Sequence, residues 1–170
     1  MSDPNAILME AIRACAAKLK PLGFIPSGRS LKFLKGENLA LIEFQKSQTS
    51  NKSNLKFTVN LAVVNRRLLE EHEPKLESAT SANAHLRLRL GLLLPPKHRD
   101  FWWEVTASTS AEHLIAEIVH AVSHCGVPYL CANMTDEKLI ELWSSGESPG
   151  LTEFEREAYL KKLKSELDLL

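Results

Sequence analysis

The sequence is poor in the features that mark most enzymes, secreted proteins and membrane proteins. Its three cysteines, Cys15, Cys125 and Cys131, are an odd number at spacings that fit neither a disulfide framework nor a zinc knuckle, which favours a reducing, cytoplasmic location. Its seven glycines form no phosphate-binding loop, and an H-E-x-x-H motif is absent. Apolar runs fall short of the roughly 18 residues of a membrane span, and charges interrupt the apolar N-terminal segment. We therefore expect no cofactor, no association with a membrane and no secretory signal.

Charge is balanced in number but uneven along the chain. Residues 29–100 contain thirteen Lys/Arg against seven Asp/Glu, whereas residues 101–170 contain five against twelve. A basic middle of this kind can attract an acidic partner. The more conservative interpretation is that it attracts the acidic C-terminal part of the same molecule or of a second copy. Few aromatic residues lie among the lysines and arginines, so nucleic acid is not favoured as a partner.

The spacing of apolar residues predicts an α+β domain. Alternation of apolar and polar residues predicts strands at 31–34, 39–46, 57–63, 85–90 and 101–106. Helical spacing predicts helices at 4–19, 110–125, 135–143 and 152–167. Because strands and helices do not alternate strictly, we expect an antiparallel four- or five-stranded meander sheet with N-terminal and C-terminal helices packed on it. Gly126 is expected to end the second helix, and residues 77–83 to form a mobile loop.

Alternation also assigns a group of polar side chains to one face of the sheet. Gln45, Asn60, Arg87 and Arg89 fall opposite the apolar stripes, and the leucines beside the two arginines face inward. Two guanidinium groups on one face suit a carboxylate or a phosphate. The alternative is an ordinary solvent-exposed face on which the arginines pair with Glu43 across strands. Asn60 is a poor strand former among strong ones, which favours the first interpretation.

A second candidate site is a row of metal-ligating side chains on one helix. His113, Glu117, His120 and His124 occupy positions i, i+4, i+7 and i+11, where they could share a divalent cation. The row lies nearly opposite the apolar residues of the same helix and so points away from the core. A solvent-exposed helix face is the simpler interpretation, and we expect no metal, because a catalytic metal requires an enclosed site with supporting hydrogen bonds.

The adjacent residues Trp102 and Trp103 must point to opposite faces if they lie in one strand. Trp103 continues the apolar pattern of Phe101 and Val105, so we expect it to face inward. Trp102 is then either an exposed anchor for a partner or a residue that the C-terminal helices cover.

Five segments together resemble a bacterial family. They are LKPLGF (Leu19–Phe24), IEFQKS (Ile42–Ser47), FTVNLAV (Phe57–Val63), RLGLLLP (Arg89–Pro95) and WWEV (Trp102–Val105). In their order and spacing the chain resembles domain of unknown function 4304 over about residues 5–132. The resemblance implies a small cytoplasmic α+β domain without an assigned activity. It draws attention to Phe44, Gln45, Lys46, Ser47, Asn60, Arg89, Gly91 and Trp102.

On this basis we interpret residues 1–132 as an α+β core that resembles the family, and residues 133–170 as a C-terminal helical extension of the same domain. The leading functional hypothesis is a non-enzymatic binding or inhibitor-type module whose polar, basic sheet face binds an acidic protein surface or a small anionic ligand. The expected binding residues are Gln45, Lys46, Ser47, Asn60, Arg87, Arg89 and Trp102. The alternative is a metal-assisted hydrolase or nuclease that uses His113, Glu117, His120 and His124. A third hypothesis is a homodimer formed through the C-terminal helix.

Overall fold

The computed structural model describes residues 3–96 and 98–168, which form an antiparallel sheet flanked by helices. The strands are β1 (Ile25–Ser27), β2 (Ser30–Lys35), β3 (Asn38–Lys46), β4 (Asn54–Asn65), β5 (Leu86–Arg89) and β6 (Trp103–Thr106). The α-helices are α1 (Pro4–Leu19), α2 (Ala111–Ala121), α3 (Val127–Asn133), α4 (Asp136–Ser144) and α5 (Glu153–Glu166). The predicted α+β class, with N-terminal and C-terminal helices on an antiparallel sheet, is therefore confirmed.

The sheet follows the predicted meander as far as β5 and then departs from it. Strand order is β1-β2-β3-β4-β5, and β6 also pairs with β4 rather than continuing beyond β5. β5 pairs with residues 60–63 of β4, which leaves residues 54–57 of the same edge for β6. β1 was not expected as a strand, because its three residues are exposed and include Pro26, so they carry no apolar alternation.

The main hydrophobic core lies between the sheet and the layer that contains α1 and α2. Ile42 of β3, Leu61 of β4 and Ile118 of α2 are all fully buried in it. Trp103 is 3% exposed and stacks on Phe57 with 5.6 Å between ring centroids, so it faces inward as predicted. Burying one large apolar side chain stabilises a protein by about 1.5–3 kcal/mol, so this layer is the main source of stability.

The helix that begins at Ala111 does not end at Gly126, in contrast to the prediction. A π-helical turn, Val122–Gly126, joins α2 directly to α3. Pro128 has no amide hydrogen to donate, and a wider turn before it lets the helix continue. Gly126 serves close packing instead, because a Cβ there would lie 3.2 Å from the Leu61 side chain.

The continuous helix has a length that the sequence analysis did not anticipate. Ala111–Asn133 is 23 residues long and contains an apolar 18-residue window with a mean hydropathy of 1.3, so by length and composition alone it could cross a membrane. Buried core helices of globular proteins meet the same criteria. Here 39% of its apolar window is buried inside the protein, because one side of the helix packs in the main core.

A second, smaller hydrophobic cluster covers part of the opposite sheet face. It consists of Leu39, Leu41, Ala62, Val64, Leu76, Ala79 and Ala84. The segment between β4 and β5 packs onto the sheet there, and the Lys32 ammonium donates to the carbonyls of Glu77 and Ala79, at 3.2 and 3.0 Å. Residues 77–83 are therefore tied to the sheet rather than a free loop. The rest of this face, towards β5, remains open.

The C-terminal helices join the main core rather than covering the open face. Leu139 and Trp143 of α4 and Leu163 of α5 are fully buried in it. Asp136, at the start of α4, accepts from Arg67 at 3.2 Å, so the acidic C-terminal part contacts the basic middle within one molecule.

Candidate functional site

The open part of the polar sheet face contains a cavity of about 300 Å³. Its described lining residues come from three strands and two loops: Gln45, Asn60, Ser81, Arg87, Leu88, Arg89 and Gly150. None of these is acidic, and two of them carry guanidinium groups. The cavity is therefore rich in hydrogen-bond donors and positive charge.

Strand register brings the polar side chains of the cavity together. Asn60 of β4 lies directly opposite Glu43 of β3 and Arg89 of β5, and side chains that are directly opposite share a face. The Asn60 Nδ2 donates to the Gln45 Oε1 over 2.8 Å. This bond fixes the Gln45 amide beside the cavity and leaves its own Nε2 as a donor. Arg87 lies two residues before Arg89 on β5, so it shares the same face, opposite the small side chain of Ala62.

The two arginines have different surroundings. Arg89 is held on two sides: it forms an ion pair with Asp100, and its Cζ lies 5.0 Å from the centroid of the Trp102 ring. Arg87 is exposed and forms no ion pair within residues 3–96 and 98–168. Its Nη2 donates to the Gly150 carbonyl over a long 3.3 Å, which leaves the other N–H groups of the fork available.

Acidic residues at the rim are already engaged. The Ser81 hydroxyl donates to Glu43 over 2.7 Å. Glu155 accepts from the backbone N–H and the hydroxyl of Thr152, at 2.7 and 2.9 Å. These hydrogen bonds lower the pKa of Glu155, and the positive charge of Arg87 lowers it further. The positive charge of Arg87 thus acts on Glu155 at the rim, but within the described part of the chain no ion pair neutralises it.

Comparison with known proteins identifies a family but no activity. The model of a domain of unknown function, DUF4304, matches residues 15–132. The chain belongs to the DUF4304 family. No curated protein and no solved structure shows a significant match to the chain.

The matched DUF4304 region contains most of the cavity but not all of it. Gln45, Asn60, Ser81, Arg87 and Arg89 lie within it, whereas Gly150 belongs to the segment after α4, beyond the match. One wall of the cavity is thus built by the C-terminal extension of this DUF4304 protein.

The structure brings four of the seven expected binding residues to the cavity: Gln45, Asn60, Arg87 and Arg89. Trp102 contributes indirectly, through its contact with Arg89, and is half-buried rather than free. Lys46 lies on the other face, where its Nζ donates to the Asn5 side chain over 2.6 Å. Ser47 hydrogen-bonds Thr49 in the β3–β4 loop, so neither Lys46 nor Ser47 reaches the cavity. Successive side chains of a strand point to opposite faces. The prediction that Gln45, Lys46 and Ser47 all bind at one site did not take this alternation into account.

Sequence reasoning missed three lining residues: Ser81, Leu88 and Gly150. Leu88 was assigned to the core by alternation, yet it is only partly buried at the edge strand β5. Ser81 and Gly150 come from loops that reach the cavity through packing far along the chain. A composition rich in Ser, Gly and Pro around residue 150 signals a linker and gives no indication of what the linker contacts.

The histidine row on α2 and the π-helical turn is exposed, as predicted. His120 and His124 stack on each other with 4.1 Å between ring centroids, and Glu117 accepts from the Trp103 indole over 2.9 Å. In the described part of the chain, no three His, Cys, Asp or Glu side chains are grouped to hold a metal ion. The row therefore offers no ready ligand set for a metal-assisted hydrolase or nuclease.

Proposed function

We propose that this DUF4304 protein is a binding module whose cavity takes an anionic group, a carboxylate or a phosphate. The observation that carries the proposal is the pair of guanidinium groups at one cavity, of which Arg87 has no ion-pair partner among the described residues. A guanidinium presents parallel N–H groups whose spacing matches two oxygens of a carboxylate or phosphate. A charge-assisted pair of this kind is about twice as strong as a neutral hydrogen bond.

The neighbouring amides suit the same chemistry. Gln45 offers its Nε2 as a donor, since its Oε1 is occupied by Asn60. Arg89 is already oriented by Asp100 and Trp102, so it can add charge at the rim with little loss of side-chain freedom. Arg87 is then the principal contact, and Arg89 and Gln45 support it.

Cavity size limits what can enter. About 300 Å³ is at the small end of the volumes that hold ligands, so the cavity fits one small molecule or one acidic side chain of a partner protein. Both sources supply the same oxyanion. Binding rather than catalysis is the proposed role, because the described lining residues include no histidine or cysteine, and the Ser81 hydroxyl donates to Glu43 rather than to a histidine.

The test is calorimetric titration of the whole chain with inorganic phosphate, with succinate and with a short glutamate-rich peptide. We expect at least one probe to bind. Its affinity should fall about tenfold or more in the double variant Arg87→Ala/Arg89→Ala. The matched control is Arg13→Ala/Arg29→Ala, which removes the same charge at two exposed positions away from the cavity. The three probes distinguish a phosphate ligand, a small carboxylate and an acidic protein segment.

Two results would overturn the proposal. One is equal loss of binding in the Arg87/Arg89 and Arg13/Arg29 variants, which would indicate non-specific attraction to net charge. The other is an absence of heat with every probe at millimolar concentration. Thermal melting accompanies the titrations, and the Arg87/Arg89 variant should keep its midpoint nearly unchanged because surface ion pairs contribute little to stability.

A further inference from the structure

A short segment after α4 closes one side of the cavity. We call residues 148–151 the strap. The backbone N–H of Arg87 donates to the Pro149 carbonyl over 3.1 Å, so the strap runs along the outer edge of β5. The Gly150 carbonyl then accepts from the Arg87 guanidinium over 3.3 Å. Both the backbone and the side chain of Arg87 therefore contact the strap.

Only glycine fits at position 150. Its φ is +75°, a conformation that other residues adopt at a cost. A Cβ there would also lie 2.7 Å from the Cβ of Arg87 and 2.8 Å from the Arg87 carbonyl oxygen. Any side chain at this position must push the strap away from β5, and the Gly150 carbonyl would move with it.

The strap is held at both ends by packed helices. On the α4 side, Trp143 is fully buried, and its carbonyl accepts from Arg156 of α5 over 2.7 Å. On the α5 side, Thr152 and Glu155 form a reciprocal capping box at the first turn. Leu151 packs against the main core. The strap is therefore a fixed wall, and its position relative to Arg87 is set by the C-terminal extension.

We infer that the strap positions Arg87 for the anion, so that the C-terminal extension completes a site that the DUF4304 region alone leaves open. This inference rests on the proposed function. A free arginine side chain has many rotamers, and ordering it on binding weakens affinity. The Gly150 carbonyl holds one edge of the guanidinium and leaves the opposite edge directed at the cavity. Gly150 is thus a positioning residue for Arg87.

The test compares two glycine substitutions in the same linker, with inorganic phosphate as the probe. Gly150→Ala introduces the clash with Arg87. Gly146→Ala is the matched control, since Gly146 also has a positive φ, +93°, but a Cβ there meets nothing within 4 Å. We expect phosphate affinity to fall about fivefold to tenfold in Gly150→Ala and to stay within about twofold in Gly146→Ala.

Two further variants separate positioning from general damage. In an Arg87→Ala background, Gly150→Ala should cause no additional loss, because its effect passes through that guanidinium. Leu151→Ala loosens the strap without touching the cavity and should show a smaller loss that also disappears in the Arg87→Ala background. This variant serves as the test if Gly150→Ala fails to fold.

The outcomes distinguish the inference from the proposed function. Equal affinities of the Gly150 and Gly146 variants, or a Gly150 effect that persists without Arg87, would overturn the positioning role while leaving anion binding intact. Failure of the unsubstituted chain to bind any of the three anionic probes would remove the proposed function and this inference together.

Discussion

The guanidinium of Arg89 lies over the indole of Trp102, with 5.0 Å between the Cζ and the ring centroid, and the same group pairs with Asp100. Trp102 is half-buried, so it is not the fully exposed anchor that one interpretation of the sequence expected. It is a half-buried ring that orients a charged side chain at the rim of the cavity. The relationship links an aromatic residue outside the cavity to the anion affinity proposed for it.

Removing the Trp102 ring should therefore weaken anion binding. A cation–π contact at a partly exposed site is worth about 0.5–1 kcal/mol, which corresponds to a twofold to fivefold loss of phosphate affinity in Trp102→Ala. Trp102→Phe keeps a ring and should remain close to the unsubstituted affinity. Calorimetric titration of both variants checks this, and equal affinities of the Ala and Phe variants would contradict it.

Substitution of Asp136 should destabilise the protein, because one carboxylate satisfies three donors. Its Oδ1 accepts from Asn65 at 2.5 Å and from Asn38 at 3.1 Å, and its Oδ2 accepts from Arg67 at 3.2 Å. Asn38 and Asn65 are buried, so Asp136→Ala would remove the acceptor of the Asn38 amide and one of the two acceptors of the Asn65 amide, at a cost of about 2–4 kcal/mol.

Urea denaturation measures this loss. Glu137→Ala is the control, because it removes an exposed acid from the same helical turn and should change the free energy of unfolding by less than about 0.5 kcal/mol. Equal midpoints for the two variants would show that the hydrogen bonds of Asp136 do not attach α4 to the sheet.

Stability should fall as the pH falls from neutral, because of His85. Burial lowers the pKa of this histidine to about 4, from an ordinary value of 6.5, with opposing contributions from Glu73 and Glu70 and a supporting one from Lys162. Between these pH values the unfolded chain binds more protons than the folded one, so folding weakens as pH decreases. The expected loss from this group is about 2–3 kcal/mol by pH 4.5, and it is absent at pH 7.

His85→Asn isolates that contribution from the carboxylates that titrate nearby. The Nδ1 of His85 accepts from the Asn65 backbone N–H over 3.0 Å, and an asparagine oxygen can take over this role. Unfolding free energies measured in urea at pH 7 and 4.5 should fall less steeply in the variant. Parallel pH dependence in the two proteins would mean that folding does not lower the pKa of His85.

Gly91 should not tolerate even a methyl group. A Cβ there would lie 2.6 Å from the Arg99 carbonyl oxygen and 2.8 Å from the Phe101 nitrogen, both backbone atoms that cannot rotate away. The Phe101 carbonyl accepts from the Thr58 hydroxyl over 2.9 Å, so displacing this segment also breaks a contact with β4. We expect Gly91→Ala to lower the free energy of unfolding by about 1–3 kcal/mol. Leu92→Ala, at an exposed neighbour, should have a much smaller effect, and similar midpoints for both would contradict the steric argument.

The pattern of apolar residues predicted most of the fold because it reports which side of each element is buried. The alternation in β3 and β4 identified both faces of the sheet, and the helical spacing of Leu8, Ile12 and Cys15 identified the buried side of α1. The short edge strand β1 escaped detection because an exposed three-residue strand has no burial pattern. The continuation of the helix past Gly126 escaped detection because a π-helical turn depends on the packing of that glycine against Leu61.

The candidate site was predictable to the extent that it lies on regular strands. Gln45, Asn60, Arg87 and Arg89 share a face by alternation, and strand pairing brings them together. Lys46 and Ser47 were grouped with them through the family resemblance and do not reach the cavity. The resemblance identified a segment, but it did not distinguish side chains that point to opposite faces.

By itself, the sequence determined the class of the fold and the two faces of the long strands β3 and β4, because these follow from local backbone geometry and from the burial of apolar groups. Only the tertiary structure decided which part of the polar face is left uncovered and which segment forms a wall of the cavity there. The segment between β4 and β5 covers part of that face, and Gly150 of the strap, 63 residues beyond Arg87, forms one wall of the cavity in the remaining part. Contacts across such separations depend on how whole elements pack, and no local pattern of residues encodes them.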